Sequence, residues 1–283
     1  MAQSSPVRRV EVLSTGRVSI HPEHAYGSRA PTYWWILTSR RWLAARPINV
    51  FVVEHRDGLV LFDTGQDRAS VADTGYFPGG PLGLLYDRLA RFDISADQTL
   101  SAQLEQLGRS VHYVAVAVLS HLHQDHIGGL PYLQGARIVT TQTEYAQLSS
   151  RFAEARGVLR RHVDLPGLSW QPVEFEPLGD PDLAPFTHGV DLMGDGSLML
   201  LPTPGHTPGS LSMLVRRANA DPLLMVGDLT YDAEVMERSG ALPGVGSRRE
   251  LRATTTRVLE LKRRHPGLRL LAAHDPAAAA GLA

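Results

Sequence analysis

The chain has no cysteine, which excludes disulfides and thiolate metal sites. It also lacks an apolar run near the ~20 residues that a membrane helix needs. No apolar segment of signal-peptide length follows the first residues, so a cytoplasmic protein without membrane contact is the expectation. A surplus of charge of either sign is missing too. Lys and Arg number 28 against 29 Asp and Glu, a net charge of −1, so the overall balance gives no support to nucleic acid as a partner. What remains is an ordinary globular composition. At 283 residues the chain is long enough to bury a substantial core and is expected to form one domain over 1–283.

Against that background one segment stands out. An apolar run over 114–119 leads into His121, His123, Asp125 and His126, four metal-ligating side chains within six residues. Imidazole and carboxylate are the ligands of borderline metals such as zinc, and alternating ligands at this spacing can face two neighbouring ions. Hydrophobic alternation and turn residues place short strands at 10–13 and 17–20 and a hairpin over 48–62 that ends at Asp63. Residues 73–93 form a Gly- and Pro-rich excursion of the kind that covers a site. A helix over 97–108 stops at Gly108, a strand covers 137–141, and 143–156 has helical spacing. A second hairpin over 191–201 runs into His206. Strands over 211–215 and 223–226 follow, the latter ending at Asp228. A helix capped at Ser247 extends to about 264, and a strand over 268–271 ends at His274. The alanine-rich tail, 277–283, is expected to fray. Hairpins separated by helices predict two sheets with helices outside.

Candidate ligands thus sit at four strand ends, and ligands distant in sequence can converge on one edge of a sheet pair. The His-x-His-x-Asp-His cluster with the later His206, Asp228 and His274 resembles the metallo-β-lactamase superfamily, over about 49–274. The resemblance implies an α/β fold, a four-layer αββα sandwich. It also implies two divalent ions, with zinc the first expectation: one on His121, His123 and His206, the other on Asp125, His126 and His274, with Asp228 bridging them. Such paired ions typically lie ~3.5–4 Å apart and bring the pKa of bound water towards ~7, so a metal-bound hydroxide is the expected nucleophile. Asp63 is read as either the orienting partner of a histidine ligand or a turn cap. His21, His24, His55, His112, His162, His188 and His265 are expected in the core or on the surface.

Departures within the superfamily narrow the expectation. His123 stands where di-iron redox members carry a carboxylate. Asp228 supplies a bridge that true β-lactamases lack. The chain ends within ten residues of His274, short of the helical domain of glyoxalase-II-type thioesterases, and it lacks the insertions and basic surfaces of the nuclease branch. Tyr231, three residues after Asp228, resembles the Asp-x-x-Tyr of N-acyl homoserine lactonases, the quorum-quenching branch. A protonated tyrosine can stabilise the oxygen that gains charge as a lactone opens, while Asp125 or Asp228 shuttles the proton. The expected substrate is a small lactone with an apolar acyl chain. Alternatives are an esterase or phosphotriesterase of the same fold, or a metal-binding module without catalysis. Tyr33, Trp34, Trp35, Tyr76, Phe77, Leu84 and Leu85 are candidates for the acyl groove, and the aromatics serve equally as a homodimer contact.

Overall fold

The computed structural model describes residues 5–218 and 220–282. Among the described residues, thirteen strands form two sheets. The first contains β1 (Val7–Ile20), β2 (Arg46–His55), β3 (Gly58–Phe62), β4 (Ala90–Asp93), β5 (Val114–Val118), β6 (Arg137–Val139) and β7 (Ser169–Trp170), in the order β4-β1-β2-β3-β5-β6-β7. The second contains β8 (Glu176–Pro177), β9 (His188–Asp191), β10 (Leu198–Pro202), β11 (Leu211–Arg217), β12 (Ala220–Gly227) and β13 (Arg269–Ala272), in the order β13-β12-β11-β10-β9-β8.

The inner strands are apolar at nearly every position because both of their faces are covered. In β2, Phe51 and Val53 point into the layer between the sheets, whereas Val50 and Val52 pack outward against Leu100 and Leu104 of the helix Leu100–Gln106. In β10, Leu198 and Leu200 face inward, while Met199 and Leu201 pack with Leu251, Val258 and Leu261 of the helix Arg248–Arg264. The result is the expected four layers, helix, sheet, sheet, helix. No described helix is long and apolar enough to cross a membrane.

Three local readings change. The strands at 10–13 and 17–20 are one strand, β1, carried through an irregularity between Ser14 and Arg17. Gly16 makes this possible: its φ is +123°, and a Cβ there would lie 2.7 Å from Ile94 Cγ1. The helix expected over 143–156 is a single turn, Gln142–Tyr145, followed by 3-10 turns over Ala146–Ser149 and Glu154–Arg156. Tertiary bonds outweigh helical spacing there, since Glu144 turns inward to backbone and hydroxyl donors of two other loops. The alanine-rich tail is not frayed over its described part: Ala278 is buried between the sheets, and Gly281 N donates to Ala277 O.

Candidate active site

Strand pairing brings the ligand-bearing loops together. β3 and β5 are parallel, with Phe62 opposite Val118, so Asp63 and the His121 loop leave the sheet side by side. β12 and β13 are also parallel, with Gly227 opposite Ala272, which sets Asp228 near His274. Leu211 N donates to Ser120 O at 3.0 Å and ties the loop after His206 to the first sheet. The ligands therefore gather beyond the carboxyl ends of parallel strands, the usual place for a site in such sheets.

All seven residues singled out for metal binding come together. Three groups have nitrogen or oxygen donors within 4.8 Å of one another: His121, His123 and His206; His121, His126 and Asp228; Asp125, His126 and His274. The rings are held from behind. His126 Nδ1 donates to Asp63 Oδ2 at 2.9 Å, His274 Nδ1 to Pro47 O at 3.0 Å, and His123 Nε2 to Arg156 O at 2.9 Å. When neutral, as a metal ligand must be, an imidazole that donates at one nitrogen presents a lone pair at the other, so each of these rings is oriented to offer one inward once an ion displaces any second proton. Asp63 thus has the orienting role, and it also accepts from Ser120 N at 2.7 Å.

The electrostatics match a cation. Burial lowers His121 well below the ordinary imidazole value, helped by the neighbouring His126, His123 and His206. Burial also lowers His126, but Asp63, Asp228 and Asp125 outweigh it and hold that ring well above its usual value. Burial raises Asp228, yet His274 and His126 hold its carboxyl well below the usual carboxylate range. Three buried polar atoms that face the cluster, His126 Nε2, His274 Nε2 and Asp228 Oδ1, make no well-formed hydrogen bond, although the two nitrogens stand 3.3 Å and 3.4 Å from Asp228 Oδ1. Unpartnered buried donors and acceptors of this kind are costly. Inward lone pairs, carboxylates and orphaned atoms are the donor set that divalent ions satisfy.

Tyr231 is buried, and its hydroxyl donates to Asp228 Oδ2 at 2.8 Å. Burial and the adjacent Asp228 raise its phenol well above the usual value, so it keeps its proton. Arg46 Nη1 donates to Tyr231 O at 2.7 Å and to His274 O at 3.4 Å, bracing both strand ends.

A cavity of about 550 Å³ opens over the cluster, with Asp125, His206, Asp228 and Tyr231 in its floor. Its apolar wall comes from β1 (Val18, Ile20), from the helix Thr32–Thr38 (Ile36) and from the 73–93 excursion (Leu82, Leu85, Phe92). That excursion contains the helix Gly80–Leu89 and strand β4. Of the residues expected to form the acyl groove, Tyr33 and Leu85 line the cavity. Trp34 points outward, 65% exposed, and Leu84 is exposed as well; Trp35 and Tyr76 are buried in the body of the protein.

Two residues that the sequence reading did not single out belong to the site's architecture. Glu144, fully buried, accepts from Leu122 N at 3.1 Å, from Thr207 Oγ1 at 2.7 Å and from Gly209 N at 3.1 Å, joining the His121 and His206 loops. His24, expected in a structural role, lines the cavity and lies 2.9 Å from the Tyr231 hydroxyl. No spacing pattern marks either one. Their partners are 22 to 207 positions away.

Comparison with known proteins agrees with this geometry. The metallo-β-lactamase superfamily model matches residues 43–274. The N-acyl homoserine lactonase AttM of Rhizobium radiobacter is 31% identical over 204 residues, 70% of this chain and 70% of its own. A probable metallo-hydrolase of Mycobacterium tuberculosis is 32% identical over 248 residues, covering 81% of this chain and 74% of its own. An N-acyl homoserine lactone hydrolase, solved with N-hexanoyl-L-homoserine at its catalytic metal centre, shares the fold with a TM-score of 0.75 at 20% identity. That match covers 95% of this chain and 94% of the other. The order of the ligands, the layered sheets and these matches agree: the chain belongs to the metallo-β-lactamase superfamily, a fold that works with divalent metal ions.

Proposed function

We propose that this protein opens the lactone ring of N-acyl homoserine lactones. The observation that carries the reading is the cavity itself. A metal-ligating floor with a tyrosine hydroxyl beside it continues into an apolar wall, the shape and polarity of a small ester head with a hydrocarbon tail. Relatives named as lactonases support the same substrate class.

His121, His123 and His206 would hold one divalent ion. Asp125, His126 and His274 would hold a second, with Asp228 between them. The imidazole and carboxylate set suits zinc. When bound, the ions would polarise the ester carbonyl and make water acidic enough to ionise near neutral pH.

The remaining tasks fall to the chain. Tyr231 keeps its proton and donates a hydrogen bond to the carbonyl oxygen as charge builds on it. Asp125 and Asp228 are kept ionised by the surrounding imidazoles, the form in which a carboxylate can relay the proton of water. Passed to the ring oxygen as the ester bond breaks, that proton leaves a hydroxyl and a carboxylic acid, which releases its own proton to solvent at neutral pH to give the N-acyl homoserine. Ile20, Leu82, Leu85 and Phe92 give the acyl chain an apolar surface, at about 0.8 kcal/mol for each methylene buried.

A substrate panel tests the reading. The zinc-loaded enzyme is expected to turn over acyl homoserine lactones of several chain lengths faster than an aryl ester or a phosphotriester. Preference for either of the latter would replace the lactonase reading with an esterase or a phosphotriesterase. Tyr231→Phe is expected to lower lactone turnover about 100-fold with metal content unchanged; unchanged turnover would remove Tyr231 from the reaction.

A further inference from the structure

The Tyr231 hydroxyl stands between two partners, 2.8 Å from Asp228 Oδ2 and 2.9 Å from His24 Nε2. A phenol has one proton to donate and lone pairs with which to accept. Asp228 is a carboxylate and brings no proton, so the phenol proton lies on the Asp228 side. The contact with His24 then runs in the opposite sense, with Nε2–H donating to the Tyr231 oxygen. A neutral imidazole protonated at Nε2 has a bare lone pair at Nδ1. His24 Nδ1 is buried and has no hydrogen-bond partner, which fits this tautomer because no N–H is then left unpaired. Burial lowers the His24 pKa to about 4, so the ring is neutral with a single proton.

Packing alone leaves the hydroxyl free to turn. The Tyr231 ring stacks on His274 at a centroid distance of 5.5 Å and an interplanar angle of 14°. His24 meets its edge at 5.1 Å and 74°, and Trp35 lies against His24 in turn. These contacts fix the plane of the phenol but not the rotation about its C–O bond. A donor seated on the oxygen from the His24 side does fix it, because the phenol proton must then point away, towards Asp228 and the cavity.

We propose that His24 is a positioning residue, which sets the Tyr231 hydroxyl as a donor aimed at the reacting carbonyl. As Tyr231 turns its proton from Asp228 to the carbonyl oxygen, its own oxygen gains negative charge. The N–H of His24 is already in place to stabilise that charge, since hydrogen bonds in a chain strengthen one another. The inference rests on the lactonase reading for its substrate. The His24–Tyr231 pair itself does not depend on which ester is cleaved.

His24→Phe keeps an aromatic ring against Trp35 and Tyr231 but removes the donor, and His24→Gln restores an N–H. With His24→Phe, kcat on the lactone is expected to fall about 10-fold with little change in KM or in metal per chain, and His24→Gln is expected to recover most of the loss. In a Tyr231→Phe background the His24→Phe change is expected to have no further effect, because the two residues act as one unit. A second readout needs no substrate. In protein labelled at the tyrosine Cζ carbon, the NMR signal that Tyr231→Phe deletes is expected to shift in His24→Phe and to return in His24→Gln. Additive losses in the double variant, or an unmoved Tyr231 signal, would overturn the proposal. If His24→Phe does not fold, His24→Asn, whose amide stops short of Tyr231, takes its place in every measurement. Failure of the wild-type enzyme on lactones would remove the substrate reading and leave the Tyr231 signal to decide the role of His24.

Discussion

Asp63 accepts the Nδ1 proton of His126 at 2.9 Å from a backbone held at φ +61°, the one positive φ outside glycine among the described residues. The strand β3 ends there, and the left-handed step turns the carboxylate back under the His121 loop, where Ser120 N and Oγ also bind it. Asparagine adopts the same backbone readily but lacks the charge that favours a proton at Nδ1. Asp63→Asn should therefore fold normally and bind metal ~10–100-fold more weakly. Competition with a coloured chelator measures the affinity, and a melting curve checks the fold.

Removing metal should weaken the whole protein. The inward atoms of His126, His274 and Asp228 are buried and are brought together only by the fold, so an ion that they hold favours the folded state. Free metal at 1,000 times its dissociation constant stabilises by about 4 kcal/mol. Thermal unfolding with and without a strong chelator should show a lower midpoint without metal, restored by adding zinc. Equal midpoints would mean that the cluster does not hold metal in solution.

Gly157 leaves no space for a methyl group. A Cβ there would lie 2.6 Å from His123 Cδ2 and 2.7 Å from Nε2, on a backbone of φ +91° that side chains rarely adopt. Gly157→Ala should push the His123 ring off its bond to Arg156 O. On the proposed two-ion site, the expected result is a selective fall in metal per chain, from two towards one, measured by mass spectrometry of the intact protein. Both ions retained at full occupancy would argue against His123 as a ligand.

Acid should find His24 early. In the unfolded chain its imidazole binds a proton below about 6.5, whereas burial delays this in the folded protein to about 4. Between these values the unfolded state holds the extra proton, so stability present above pH 6.5 is lost as the pH falls towards 4. The loss is on the order of 3 kcal/mol. Urea unfolding of the wild type and of His24→Gln across this window should show a steeper decline in the wild type.

The residues that gather into one metal-compatible cluster were legible because their chemistry is local: four side chains in six residues after a buried strand, then one candidate ligand at each of three later strand ends. The four layers were legible for a similar reason, since two-residue alternation and continuous apolar runs report sheet faces directly. His24 and Glu144 were not. Each works through a contact that only the assembled fold creates, and a single histidine in the five-residue helix Pro22–Tyr26 carries no spacing signal. The aromatics at 33–35 show the same limit within one turn. Without knowing that Thr32–Thr38 is helical, nothing separates Tyr33 at the cavity from Trp34 in solvent or Trp35 in the core.

The donor set is divided between the sheets, with His121, His123, Asp125 and His126 carried by the first and His206, Asp228 and His274 by the second. Any slip of one sheet over the other would spread these atoms before it broke a strand. Metal affinity is accordingly a gauge of sheet alignment. Thinning the layer between them, at Phe51 or Met213 for example, would be felt in the spacing of the donor atoms although neither residue belongs to the site.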